Sequence, residues 1–149
     1  MIISNRCWTT QSRWDGGKMN SMCWTLLPTL SVNGMEFGTE RSIVRKILGK
    51  PTRVFKKTSA SDNTTDVYAD YHVYYSADDK LDALEFFGNE ISLSIDSQVL
   101  FPGTLSEAKN ILPDLEECCG SYISKSASIG IGVEGDSIVS VLVGCKDYY

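Results

Sequence analysis

His72 is the only histidine in the chain, so any imidazole chemistry would have to use this one residue. A catalytic site could combine His72 with a carboxylate of Asp70 or Asp66, or with the thiol of Cys118. A metal cluster built on several histidines is excluded, because such sites need two or three imidazole ligands. The simpler interpretation is a histidine on the surface of a β-strand, since the surrounding residues 70–87 alternate in character as a strand does.

Cysteine is the second residue type that could carry chemistry, and the chain has Cys7, Cys23, Cys118, Cys119 and Cys145. An odd number of cysteines, with no apolar signal-peptide core near the start, favours reduced thiols in the cytoplasm. The adjacent pair, Cys118 and Cys119, lacks the C-x-x-C spacing of redox and zinc sites. Cys145 could meet one of them in space. We therefore predict buried or chemically idle thiols.

Three further motifs are interpreted as structural. The stretch "SIGIGVEG" contains Gly130 and Gly132 but lacks the lysine of a P-loop and the spacing of a dinucleotide fingerprint, which indicates a glycine-relaxed strand. Asp78 and Asp79 in "SADDK" fit a turn. The loop "SDNTTD", residues 61–66, has several oxygens that could bind a cation, but a solvated loop is the favoured interpretation. We predict no metal and no cofactor.

The chain of 149 residues carries a net charge of −5, and its length suggests a single domain. An acidic domain is a poor nucleic-acid binder, because phosphates require clustered lysine and arginine. No apolar run reaches the roughly 18 residues that span a bilayer.

All three tryptophans lie in residues 1–30, a segment without helix or strand periodicity. We predict a poorly ordered extension there, and Met19 or Met22 could be the natural start. The alternative is an aromatic arm that docks on the body of the protein or on a partner. Residues 31–149 are then a single domain.

Two helices are predicted from caps and apolar spacing, over about residues 39–49 and 104–112. In the first, Thr39 would cap the start and Gly49 the end, and the apolar residues recur at helical spacing: Ile43, Val44, Ile47 and Leu48. In the second, Thr104 and Glu107 form a capping box, and Pro113 ends the helix. Its apolar stripe is Ala108, Ile111 and Leu112.

Strands cluster after each helix rather than alternating with helices. Residues 31–37 are predicted as a short strand, residues 59–66 as a polar loop and residues 68–75 as one continuous strand. This order favours an α+β fold with an antiparallel sheet. We predict two degenerate helix-plus-hairpin repeats, about residues 31–96 and 97–149, with the helices packed on one face of the sheet.

The segment "GMEFGTERSIVRKILGKP", residues 34–51, resembles the helix signature of repeats in β-lactamase inhibitor proteins and BamE-like outer-membrane assembly lipoproteins. The hairpin over residues 71–86 is similar as well. The second repeat departs from the signature, because Pro113 replaces the Leu-Gly helix end, and no lipoprotein cysteine follows an apolar leader. The resemblance implies a curved antiparallel sheet that faces a protein partner, as in some bacterial immunity proteins. It carries over no individual binding residue.

Side chains at alternate strand positions share one face of a sheet. The uncharged set is the predicted core face: Ala69, Tyr71, Val73 and Tyr75, joined by Leu84 and Phe86 on the return strand. Ala83 would face outward with the remaining residues, which form the predicted partner-binding set: Tyr68, Asp70, His72, Tyr74, Glu85 and Phe87. The alternative is that another strand or the aromatic N-terminus covers this face.

The sequence therefore predicts a non-enzymatic protein-binding module in the cytoplasm, with a toxin-neutralising immunity protein as the favoured kind. A basic toxin domain would suit the acidic charge, and neither nucleic acid nor membrane is predicted as a partner. The alternatives are a structural or small-ligand-binding domain and, third, an enzyme centred on His72.

Overall fold

The computed structural model of the protein describes residues 22–56, 64–88 and 90–149. The predicted extension over residues 1–21, and residues 61–63 of the proposed cation-binding loop, lie outside the described residues. Two short helices interrupt a series of strands: α1 (Arg41–Leu48) and α2 (Leu105–Ile111). The strands are β1 (Met22–Leu27), β2 (Ser31–Val32), β3 (Met35–Glu36), β4 (Arg53–Lys56), β5 (Thr64–Val67), β6 (Tyr71–Tyr75), β7 (Leu81–Phe86), β8 (Ile91–Ile95), β9 (Gln98–Phe101), β10 (Glu116–Cys118), β11 (Ser121–Ser124), β12 (Ile129–Glu134) and β13 (Ser137–Gly144).

The described strands form two sheets. The larger has eight strands in the order β10-β11-β12-β13-β7-β6-β5-β4, and every neighbouring pair in it is antiparallel. The smaller has five strands in the order β3-β2-β1-β8-β9, antiparallel except for the parallel pair β1–β8. Antiparallel pairing was predicted and is confirmed.

The predicted α+β architecture is wrong. Strands account for 53% of the structure and helices for 13%, so the fold is nearly all-β. Describing each half as a helix plus a hairpin is wrong too. Residues 31–96 hold α1 with four strands of the large sheet and three of the small one, whereas residues 97–149 hold α2 with four strands of the large sheet and β9 of the small one. The large sheet buries its inner face against the small sheet, and an eight-residue helix is too short to cover it.

A single buried cluster joins the inner faces of the two sheets, and Trp24 of β1 lies within it at 2% exposure. The Trp24 ring lies 5.0 Å from Tyr71 and 5.1 Å from Phe86, measured between ring centroids, at angles typical of edge-to-face contacts. Residues 22–30 therefore belong to the fold, and the predicted boundary at residue 30 is wrong. The alternative of an aromatic arm docked on the body describes Trp24 correctly.

Helix α1 attaches to the large sheet through polar side chains instead of the predicted apolar stripe. Of that stripe only Val44 is fully buried, whereas Ile43 is 46% and Ile47 57% exposed. Glu40 is the N-cap residue and makes no side-chain cap, and the Thr39 hydroxyl instead donates to the Glu36 carbonyl. The predicted Thr39 cap is therefore wrong.

Helix α2 begins as predicted. The Thr104 hydroxyl accepts from the Glu107 amide, and the Glu107 carboxylate accepts from the Thr104 amide, so the capping box is confirmed. The two contacts satisfy backbone amides that have no partner within the first turn of a helix.

Turns interrupt two of the elements that were predicted to be continuous. Residues 31–37 form the hairpin β2–β3, in which Asn33 and Gly34 both have positive φ angles of 50° and 83°. The strand predicted over residues 68–75 is broken, because residues 68–70 turn the chain between β5 and β6. The end of the predicted polar loop, residues 64–66, belongs to strand β5.

Candidate functional site

The outer face of the large sheet collects four of the six predicted partner-binding residues. His72 lies directly opposite Glu85 in the β6–β7 pairing, with Tyr74 and Phe87 beside them. Tyr71, Val73 and Tyr75 point to the core and are at most 6% exposed, so the predicted alternation of β6 is confirmed.

On β7, Leu84 and Phe86 are buried as predicted. Ala83 pairs with Tyr74 and Gly144 and so shares their outer face, as predicted, although it is fully buried there. The register shift between Tyr74 and Tyr75 places Leu81 opposite Tyr75, so Leu81 is buried although simple alternation would put it on the outer face.

Three aromatic rings surround the His72 imidazole. The centroids of Phe87, Phe55 and Tyr74 lie 4.7, 6.0 and 6.3 Å from it, all near edge-to-face. Burial lowers the pKa of His72 below its usual value, and the Glu85 carboxylate opposes part of that effect. His72 is therefore neutral at pH 7 and packs as an aromatic ring. Asp66 is excluded as its partner, because that carboxylate points to the other side of the sheet.

Tyr74 and Glu85 form the polar centre of this face. The Tyr74 hydroxyl donates a 2.6 Å hydrogen bond to Glu85 Oε1. Burial and this bond to a carboxylate raise the pKa of Tyr74 well above its usual range. A half-buried carboxylate can accept hydrogen bonds from a cation, and the tyrosine rings beside it can contact that cation with their aromatic faces.

Tyr68 and Asp70 do not join this group. Tyr68 is buried at 8% exposure, stacks on Tyr71 at 4.8 Å and donates through its hydroxyl to the Gly49 carbonyl. Its assignment to the outward face is wrong, because the turn at residues 68–70 ends the strand alternation. Asp70 lies in that turn, where its carbonyl accepts from the Phe87 and Gly88 amides.

A groove continues this face across strands β10–β13. It encloses about 250 Å³, and its lining includes Glu85, Ser121, Gly130, Gly132, Leu142 and Tyr149. Gly130 and Gly132 leave room for neighbouring side chains: a Cβ atom at Gly130 would collide with the Tyr149 hydroxyl, and one at Gly132 would come within 2.6 Å of Ser140 Oγ.

Sequence reasoning interpreted the two glycines only as a relaxed strand. Their spacing of two residues was the available signal, because it places both on one face of β12.

The two tyrosines that follow β13 pack over the same side of the sheet, which sequence reasoning missed. The Tyr148 ring covers Gly144, where an added Cβ atom would come within 2.6 Å of it, and lies 5.5 Å from the Tyr149 ring. Burial raises the pKa of Tyr148 to about 12, and the carboxylates of Asp82 and Glu85 act in the same direction. The face is therefore richer in tyrosine than residues 70–87 alone indicated.

Asp66, from the proposed cation-binding loop, has a structural role instead. Its carboxylate is fully buried and accepts two hydrogen bonds from Arg45 of α1, at 2.8 and 2.6 Å. The Tyr75 hydroxyl donates a third at 3.1 Å. The Arg41 guanidinium donates hydrogen bonds to the hydroxyl and to the backbone carbonyl of Thr64 on the same strand. These contacts attach α1 to β5, and the Asp66 carboxylate is occupied by its ion pair with Arg45.

The thiols fall into two groups. Cys118, Cys119 and Cys145 are free, and Cys145 Sγ donates to Asp82 at 3.3 Å. Cys23 is disulfide-bonded, so the expectation of reduced thiols throughout is wrong. The described residues contain no group of three or more histidine, cysteine, aspartate or glutamate side chains that could hold a metal ion.

Comparison with known proteins adds no relative. No protein-family model matches the chain, and neither a curated protein nor a solved structure matches it. The resemblance to β-lactamase inhibitor proteins is neither supported nor refuted by these comparisons. Within the part of the chain that the structure describes, neither helix is long and apolar enough to cross a membrane.

Proposed function

We propose that this protein is a non-enzymatic protein-binding module that docks its partner on the outer face of the large sheet. The observation that carries the proposal is the Tyr74–Glu85 pair at the edge of the groove. Tyrosine is common at binding hot spots because it offers a large contact area at a low cost in conformational entropy. Around this pair, His72 and Phe87 add further half-buried ring surface.

The chemistry of the face favours a basic partner. The protein has a net charge of −5, and the charged side chain that lines the groove is the Glu85 carboxylate. Complementary charge steers the encounter of two proteins and disfavours wrong partners. A nuclease toxin, whose own surface must bind phosphates, has the required positive charge, so a toxin-neutralising role remains our favoured form of the proposal. A cytoplasmic location belongs to the proposal as well, although the disulfide of Cys23 removes the argument from reduced thiols.

The dimensions of the groove favour a side chain over a free small molecule. Drug-sized ligands occupy pockets of about 300–1,000 Å³, whereas this groove encloses about 250 Å³. An arginine or lysine side chain of a docked protein could enter the groove and end at Glu85. We therefore rank a small-ligand-binding domain below the protein-binding module.

Partner capture with matched variants tests the proposal. Tyr74→Ala should weaken the captured complex by roughly 2 kcal/mol or more, as loss of a hot spot does. Glu85→Gln, which keeps the shape and removes the charge, should weaken binding most at low salt. Tyr71→Ala is the control of opposite kind, because Tyr71 is buried and its loss should lower thermal stability. If the Tyr74→Ala and Glu85→Gln variants both bind a basic partner as tightly as the wild type does, the docking surface lies elsewhere.

A defined probe tests the groove by itself. An acetylated pentapeptide amide with one central arginine between glycines should shift the NMR signals of His72 and Gly130. The same peptide with glutamate in place of arginine should not. If the glutamate peptide binds equally well, or if Glu85→Gln leaves the arginine peptide unaffected, the assignment of Glu85 as the cation acceptor is wrong.

A further inference from the structure

Two exposed thiols lie side by side at the tip of the β10–β11 hairpin. Cys118 is the last residue of β10 and pairs with Ser121, so only Cys119 and Gly120 form the turn. Both turn residues have positive φ angles, 55° and 87°, as a two-residue type I′ hairpin turn requires. This turn holds the Sγ atoms of Cys118 and Cys119 4.0 Å apart, and both side chains border the groove.

The sulfur separation defines the coordination that the pair can offer. Metal–thiolate bonds are about 2.3 Å long, so an ion bonded to two sulfurs 4.0 Å apart has a sulfur–metal–sulfur angle of about 120°. A linear complex would need sulfurs about 4.6 Å apart with the same bond length. The observed distance therefore fits a trigonal ion with two thiolates and one open position.

Two other uses of the pair fit less well. A structural zinc ion takes four protein ligands, and the described residues hold no group of three or more suitable side chains. A disulfide between neighbours would join α-carbons only about 3.8 Å apart, closer than the usual minimum of about 4.4 Å. Strain would make that disulfide easily reduced, so the free dithiol is the stable form under reducing conditions.

We propose that Cys118 and Cys119 form a two-thiolate site for a soft monovalent cation, with Cu(I) as the ion whose chemistry fits best. Soft thiolate ligands select Cu(I) over hard ions such as magnesium and calcium. The third position is open to an exogenous ligand. This inference is independent of the proposed protein-binding function.

Binding must displace protons, because the thiolate and not the thiol is the ligand. One Cu(I) ion and two thiols give a bis-thiolate complex and two protons, with no change in oxidation state.

The full chain is titrated with Cu(I) under ascorbate and without thiol reductants, in competition with the chromophoric chelator bicinchoninate. We expect one Cu(I) per chain, and at least a tenfold loss of affinity in both Cys118→Ser and Cys119→Ser. Cys145→Ser is the matched control, because that thiol is also free but is hydrogen-bonded to Asp82 away from the pair. It should bind as wild type does.

The expected complex also has a structural signature. X-ray absorption at the copper edge should give three ligands, at least two of them sulfur at about 2.3 Å. The proposal is overturned if Cys118→Ser and Cys119→Ser both keep wild-type affinity, if Cys145→Ser loses the site, or if copper is held by a single sulfur. Circular dichroism of each variant separates loss of the site from loss of the fold.

Discussion

Replacing Arg45 by methionine removes the partner of a fully buried carboxylate and should destabilise the fold strongly. Arg45 supplies two of the three hydrogen bonds that Asp66 receives from described side chains, and the third comes from Tyr75. Breaking a buried ion pair by removing one partner costs about 3–5 kcal/mol, because the remaining charge stays desolvated. The Arg45 side chain is itself 37% exposed, so water can enter the vacated space. We therefore expect a loss near the lower limit, about 3 kcal/mol.

Urea denaturation followed by circular dichroism measures this loss as a change in the free energy of unfolding. Arg53→Met is the matched control, because Arg53 is an exposed arginine whose guanidinium lies 5.7 Å from the Phe55 ring. It should cost no more than about 1 kcal/mol.

The double variant with Asp66→Asn separates the ion pair from general effects of substitution. Because asparagine removes the unpaired charge, the double variant should be more stable than the sum of the two single losses predicts, by roughly 0.5–3 kcal/mol. A loss below about 1 kcal/mol for Arg45→Met, or strictly additive losses in the double variant, would refute the reasoning.

Three further outcomes are expected. The imidazole of His72 should titrate by NMR with a midpoint below 6.5, and Glu85→Gln should lower the midpoint further, because Glu85 acts to raise that pKa; an unchanged or higher midpoint in the variant would contradict the assigned contact. Trp24→Ala should lower the free energy of unfolding by about 3–5 kcal/mol in urea, and a loss below about 1 kcal/mol would remove Trp24 from the core. The folded-state pKa of Tyr148 is raised to about 12 from an ordinary value of about 10, so its contribution to stability is complete below pH 10 and is lost as the pH rises towards 12. Tyr148→Phe should reduce this loss of stability at alkaline pH, and an unchanged pH profile of unfolding in the variant would contradict the assignment.

Local patterns determined the features that depend only on neighbouring residues. The alternation of Tyr71, Val73 and Tyr75 specifies which face of β6 is buried, because strand side chains have a period of two. The capping box of Thr104 and Glu107 specifies where α2 begins, because both hydrogen bonds lie within one helical turn. Asn33 and Gly34 carry a strong signal for a hairpin turn, which the prediction of a continuous strand over residues 31–37 overlooked.

Tertiary contacts decided what local patterns could not. β1 pairs in parallel with β8, which lies far along the chain, and this pairing places Trp24 between the sheets although its own segment has no clear period. Tyr68 follows a turn instead of the strand alternation, so it lies in the core. The stripe of α1 is largely exposed because Arg41 and Arg45 attach that helix to β5 through polar contacts.

The groove has the same origin. Glu85, Gly130 and Tyr149 come from three separate stretches of the sequence, and the antiparallel order β7-β13-β12 brings them together. A strand specifies the face that each of its side chains takes, since that depends on the local backbone alone. Which strand becomes its neighbour depends on the burial of the whole apolar surface, and only the assembled fold determines that.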